Sequence, residues 1–266
     1  MNFYSFERLQ VMSVKDISEK SKILESNGYK GMLLPFGQYM GDYFTKIARA
    51  LDTNSSFEYI VAIRPHSVSA QYLSMITESV SCISPKRISI NFVAGHIHDY
   101  EMSYGGILQQ PDDFSSNDDR KSYLVKYVKE FSKITLNKKY RPKIMVSGFS
   151  EEVAKVVNES ADCIIMNYKM FEDNRSAFDT VNKRKMISFS PLVRDTIEEI
   201  DNIRSIIKFE PNDIFYGTPK EFINFIQYLK DEGVTDIMIS QLPEDNDSSC
   251  LYNAVKDLNL LYNKTT

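Results

Sequence analysis

The chain has 266 residues, 42% of them hydrophobic and 26% charged, with a net charge of −4. That composition can bury a core and is not that of a disordered chain. It has no basic surplus for neutralising nucleic-acid phosphates, and no apolar run approaches the ~20 residues that span a bilayer. The opening MNFYSFERLQ carries no signal-peptide core, and Cys82, Cys163 and Cys250 are too scattered for a disulfide framework or a zinc site. The expectation is a soluble, reduced, cytoplasmic protein with neither nucleic acid nor membrane as a partner.

Asn2–Phe6 reads as a short first strand, followed by a helix over Lys15–Glu25 that stops at Asn27-Gly28. Tyr29–Leu34 is the second strand, closed by Pro35 and Gly37, and Asp42 caps a helix through Tyr43–Ala50. Tyr59–Ile63 and Ile88–Val93 are near-continuous apolar runs. Between them Val68, Tyr72, Met75, Ile76, Val80 and Ile83 recur at helical spacing. This is a βαβ unit with strands buried on both faces. Its strands end in Arg64-Pro65 and Ala94-Gly95-His96, and parallel α/β folds build their sites at such carboxyl ends.

An irregular segment, His96–Ser116, precedes a helix from about Asp118 to Lys133. Strand Ile144–Val146 then runs into Ser147-Gly148-Phe149-Ser150, ahead of a helix over Glu151–Asn158. Asp162–Met166, a helical Asn174–Asn182, strand Met186–Phe189 and a helix over Thr196–Ile207 follow. Thr218-Pro219-Lys220-Glu221 is a capping box with proline in the first turn, opening a helix that stops at Glu232-Gly233. Strand Val234–Ser240 and a last amphipathic helix to about Tyr262 complete the chain. Eight strands alternating with helices, without a linker, predict a single (β/α)8 barrel over residues 1–266, with a doubly wound sheet as the alternative.

Several residues at the carboxyl ends invite chemistry. Ser147-Gly148-Phe149-Ser150 can bring backbone N–H groups to a phosphate, or Ser150 can simply cap the next helix. Arg64 can bind an anion or form a structural ion pair. His96 and His98 alternate along one side of an extended segment, yet no further His or Cys cluster completes a metal shell. No G-x-G-x-x-G, Walker A or G-x-S-x-G motif is present.

With those residues in view, the chain resembles the bacterial luciferase-like flavin monooxygenases, above all their alkanesulfonate branch. The likeness rests on GYKGMLLPFG, EYIVAIRPHSVSAQYLSMITESVSCISPKRISINFVAGH, KIMVSGFSEEVAKVVNESADCII and FYGTPKEFINFIQYLKDEGVTDIMISQLPED, which lie in the family's order and spacing. It implies a two-component monooxygenase in which reduced FMN from a separate flavin reductase reacts with O2 to oxidise a small-molecule substrate. Phe36, Ala62, Ile63 and Asn91 would then lie at the flavin ring, Ser147, Gly148 and Ser150 at its phosphate, and Arg64 would be a further cofactor-binding residue. Asn91, His96 and Arg120 would be the catalytic candidates. The resemblance also implies a non-proline cis peptide around Ala62–Arg64. It implies a homodimer or homotetramer too, with Tyr43, Phe44, Tyr72 and Met75 as candidate pairing residues. The chain departs from the branch at Met40, where a cysteine is usual, and at Ala94-Gly95, where threonine-glycine is usual. In Asn117-Asp118-Asp119-Arg120-Lys121 only the arginine of the branch's motif survives, and the loops are shortened. These losses weaken sulfonate specificity. They leave open a non-catalytic flavin-binding relative, a deazaflavin-dependent oxidoreductase and a barrel without flavin.

Overall fold

A computed structural model describes residues 1–6, 12–35, 42–51, 55–85, 87–95, 116–207, 213–242 and 247–263. Phe36, Met40, His96 and His98 lie outside the described residues.

The eight expected strands are present: β1 (Asn2–Phe6), β2 (Gly31–Leu34), β3 (Glu58–Ile63), β4 (Ile88–Val93), β5 (Lys143–Ser147), β6 (Cys163–Asn167), β7 (Arg184–Val193) and, with a short strand β8 (Ile214–Gly217) intervening, β9 (Asp236–Ser240). All pairings are parallel. β1 to β7 pair in succession, β7 pairs with β9, and β9 returns to β1, which closes an eight-stranded barrel. β8 is an addition to the expected set. It pairs only with Ser190–Val193, the part of β7 that continues past the barrel.

The helices are α1 (Val14–Ser26), α2 (Tyr43–Ala50), α3 (Ala70–Ile83), α4 (Asn117–Thr135), α5 (Glu151–Ser160), α6 (Tyr168–Asp173), α7 (Arg175–Asp179), α8 (Ile197–Arg204), α9 (Pro219–Asp231) and α10 (Ser249–Asn263). Thr218 and Glu221 form the expected capping box at α9. The helix expected over Asn174–Asn182 is the shorter α7, and α6 ahead of it is an addition to the expected set. Asn167 caps α6 by accepting from the Met170 N–H, and Asn174, at φ −134° and ψ 30°, breaks the run. No described helix is long and apolar enough to cross a membrane.

Two apolar layers follow from strand parity. Outward residues such as Tyr59, Val61, Ile63, Ile90, Phe92 and Phe189 pack against the helices. Inward residues Tyr4, Leu33, Ile60, Ala62, Met145, Cys163, Ile165, Met186 and Met238 fill the barrel. Burying each of the larger side chains contributes about 1.5–3 kcal/mol. The interior is filled by side chains and is a packed core, and parallel barrels of this kind build their sites at the carboxyl ends of the strands.

The amino end is shut by a polar network. Arg184 donates to both carboxylate oxygens of Asp236 at 2.9 and 2.7 Å and to the Tyr4 hydroxyl at 3.1 Å. Lys143 donates to Glu58 at 2.7 Å, and Ser89 donates to the same carboxylate. Burial pushes the Tyr4 phenol well above its ordinary range, and it raises the Cys163 thiol likewise. Burial thus favours the protonated form of each.

Candidate functional site at the carboxyl mouth

At the opposite end the inward positions become small and polar. Following the register around a barrel of this shear, Leu33, Asn91, Ile165 and Met238 form one layer, and Phe6, Ala62, Ser147 and Ser188 the layer above it. Asn167 and Ser240 come next toward the opening.

Asn91 and Ser147, both candidates from the sequence, meet directly. The Ser147 hydroxyl donates to the Asn91 side-chain carbonyl at 3.0 Å. Asn91 is buried on the inner wall, yet its amide N–H groups meet no acceptor among the described residues. A buried amide with uncommitted donors is what an incoming acceptor would satisfy.

Ala62 also faces inward, and its side chain is the smallest of the inner cluster. Ile63 does not join it. Its side chain packs in the outer layer between strands and helices, so only its backbone can reach a ligand. The reason is parity, since consecutive strand residues face opposite ways. Arg64 returns inward beyond Ala62, and its side chain lies over Gly95, where an added Cβ would sit 3.0 Å from the guanidinium Nε. The peptides from Ala62 to Arg64 are trans, and no cis bond occurs among the described residues, which corrects the expected cis peptide. The trans form is the one a non-proline residue ordinarily adopts.

Gly148 takes φ +109°, a conformation other residues rarely adopt, and a Cβ there would meet nothing within 4 Å. It therefore turns the chain from β5 into α5 beside open space. Its own N–H donates to Ile165 O at 3.0 Å. Ser150 is the N-cap, accepting from the Val153 N–H at 3.3 Å. That leaves the N–H groups of Phe149, Ser150 and Glu151 without an acceptor among the described residues, at the positive end of the α5 dipole. Glu152 competes for this end. Its carboxyl is held below the usual range by its own backbone N–H, and then by the Ser150 hydroxyl. Arg120, in the first turn of α4, is buried.

The sequence reading passed over Arg194. Arg194 is buried at the end of β7, where it donates to Val193 O at 2.7 Å. It had the same signal as Arg64, an arginine closing an apolar strand.

No protein-family profile and no curated protein matches the sequence. Solved structures do match in fold. Apo-MsnO8 superposes with a TM-score of 0.75 at 12% identity, over 98% of this chain and 98% of that one. The EDTA monooxygenase EmoA from Chelativorans sp. BNC1 gives 0.71 at 12%, over 100% and 94%. An F420-dependent secondary alcohol dehydrogenase in complex with an F420-acetone adduct gives 0.69 at 13%, over 97% and 97%. The chain shares the (β/α)8-barrel fold of these structures. At such identities the likeness is one of fold, and the activity must be argued from the mouth.

Proposed function

We propose that this protein is a two-component flavin monooxygenase, taking reduced FMN from a separate reductase and using O2 to oxidise a small molecule in the barrel mouth. The observation that carries the reading is the pair of uncommitted donor sets there, the Asn91 amide on β4 and the N–H groups opening α5 after β5, side by side at one wall of the mouth above the apolar barrel interior. A planar ring with acceptor atoms and a phosphate tail matches that pattern. Phe6, Ala62 and Ile165 would carry the ring, with Phe36 and the Ile63 backbone at its edge. Asn91 would bond a ring acceptor, and Gly148, Ser150 and Arg64 would attend the phosphate.

When bound, the reduced flavin supplies the activation of O2. The chain's part is to orient the ring through Asn91, to exclude water with the apolar floor, and to manage charge and protons at its rim. Arg120 is assigned the developing anion. His96 is assigned a proton held on its imidazole nitrogen. Sulfonate specificity is not part of the proposal, because the branch's motif residues other than Arg120 are replaced. The same fold houses an F420-dependent dehydrogenase, which makes a deazaflavin-dependent oxidoreductase the second reading.

Titrating the purified protein with FMN, reduced FMN and F420, and then measuring O2 uptake with an added NADH-dependent flavin reductase, tests both. Reduced FMN should bind, and O2 uptake with substrate should exceed that of the reductase alone. Binding of F420 with none of FMN would favour the second reading, and binding of neither would end the flavin assignment. FMN binding without substrate-dependent uptake would mark a non-catalytic flavin protein.

The working form is proposed to be a cytoplasmic homodimer or larger. Tyr43 and Phe44 are buried inside the protomer, whereas Tyr72, Met75 and Ile83 on α3 are 57%, 55% and 50% exposed. They border a groove of about 470 Å³ against α2, with Asp42 and Arg49 among its lining residues. These charges stand at opposite ends of α2, so a twofold pairing would set Asp42 of one copy toward Arg49 of the other.

A further inference from the structure

Outside the barrel, α5 and α7 border a groove of about 360 Å³. Ala154 on α5 and Ala177 on α7 both line it, and their methyl groups leave the space that larger side chains would fill. Asn158 shuts the end away from the mouth. Its amide donates to Thr180 O at 3.0 Å and its side-chain carbonyl accepts from the Asn182 N–H at 2.9 Å, so both halves of that side chain are committed. Phe149 and Glu151 border the other end. Their N–H groups are two of the three left without an acceptor at the start of α5. The groove therefore begins where the flavin phosphate is proposed to sit. From Glu151 to Glu159 the flank of α5 is about 12 Å long.

The volume lies within the range of small-molecule sites, about 300–1,000 Å³, and the charges along the flank select what can fill it. Glu159 is already paired with Lys129 at 3.0 Å. That hydrogen bond holds its carboxyl below the usual range, with Lys155 a lesser contributor. Lys155 itself makes no ion pair among the described residues. It can offer its ammonium to an anion, and Glu151 can accept from hydroxyls. Alanine walls with one such cation suit a flat, uncharged ring joined to a single anionic group. A tail bearing several carboxylates would meet Glu151 and Glu159 and be repelled.

We infer that the α5/α7 groove is the adenylate subsite of a flavin dinucleotide. The first phosphate sits on the N–H groups of Phe149–Glu151, and the ligand continues past Phe149 into the groove. The second phosphate meets Lys155, the ribose hydroxyls donate to the Glu151 carboxylate, and the adenine lies between Ala154 and Ala177. Gly148, with nothing within 4 Å of where a Cβ would stand, keeps the turn open at the entry. The inference rests on the flavin reading for the position of the first phosphate. It goes beyond that reading in the form of the cofactor: FMN fills the mouth alone, whereas FAD fills the mouth and the groove.

Isothermal titration calorimetry of the full chain with FMN and with FAD reads the subsite as a ratio of two affinities. The wild type should bind FAD about tenfold more tightly than FMN, the contribution of one hydrogen bond to a charged group. Lys155→Ala removes the cation and should bring the ratio close to one. Ala177→Leu fills the groove and should remove the advantage of FAD entirely, while FMN affinity stays unchanged. Both substitutions place strong helix formers at exposed or half-buried positions, and thermal melting checks that each variant is folded. Should Ala177→Leu not fold, Lys155→Ala decides alone. Equal affinities for the two flavins in the wild type, or a tenfold ratio that survives in a folded variant, overturns the subsite. FMN binding without an FAD advantage defeats only this inference, whereas binding of neither flavin defeats the flavin reading on which it rests.

Discussion

The Ser147 hydroxyl donates to the Asn91 side-chain carbonyl at 3.0 Å, bridging β5 and β4 just below the mouth. The bond fixes the amide so that its N–H groups remain available. Ser147→Ala would leave a buried carbonyl without its donor, at a cost of about 1–3 kcal/mol. Chemical denaturation should show that loss, with weaker flavin binding as well, because the Asn91 amide is then free to rotate. Asn91→Ala removes the ring donor outright and should lower product formed per reduced flavin consumed. Wild-type coupling in Asn91→Ala would place the chemistry elsewhere.

At the start of α5, Gly148→Glu should weaken FMN binding far more than riboflavin binding, since only FMN carries the phosphate. The φ of +109° adds strain of its own, on the order of 1 kcal/mol or more, so affinities must be compared on the folded fraction. Ser150→Ala should cost about 0.5–2 kcal/mol through the lost cap alone. Glu152→Gln works in the opposite direction. It removes a carboxylate bonded to the Ser150 hydroxyl and should tighten FMN while leaving riboflavin unchanged. Equal effects on the two ligands would detach the phosphate from this helix.

The eight barrel strands were legible because each is an apolar run closed by glycine, proline or a polar turn, and because strands and helices alternate. Facing was not. The run Tyr59–Ile63 is buried on both sides, so nothing in its hydropathy says that Ala62 points inward and Ile63 outward. Only the register with β2 and β4 decides that. β8 is four residues long and exists by pairing with an extension of β7, a non-local event without a local signature. Asn91 and Ser147 were each readable as polar residues in apolar strands, but their bond spans 56 positions of sequence.

The floor network predicts a stability effect without a binding effect. Asp236 is fully buried and receives both hydrogen bonds of the Arg184 fork. Asp236→Ala leaves that guanidinium without its main counter-charge. The expected loss is about 3 kcal/mol, the low end for breaking a buried pair, because the Arg184 side chain retains 30% exposure. FMN affinity of the folded protein should not change, since the floor lies at the far end of the barrel. A combined loss of stability and affinity would mean that the two ends are coupled.

On α3, Met75→Glu and Tyr72→Glu alter side chains more than half exposed, so each should change protomer stability by no more than about 0.5 kcal/mol. In a twofold interface each substitution enters twice. Sedimentation at micromolar concentration should show a dimer for the wild type and a monomer for either variant. A wild-type monomer would remove the interface, and a dimeric Met75→Glu would move it off this face.

Gly95 and Arg64 give the last prediction. Gly95 has φ +63°, and a Cβ there would stand 3.0 Å from Arg64 Nε and 3.3 Å from its Cδ. The glycine therefore provides the bed across which the arginine lies, and Gly95→Ala should push the guanidinium aside without removing its charge. If Arg64 attends the flavin phosphate, Gly95→Ala and Arg64→Ala should each weaken FMN and spare riboflavin. Their combination should do no more than Arg64→Ala alone, since the glycine acts only through the arginine. Additive losses in the double variant would show that Gly95 serves the backbone turn after β4 independently. No loss from Arg64→Ala would return that arginine to a structural role.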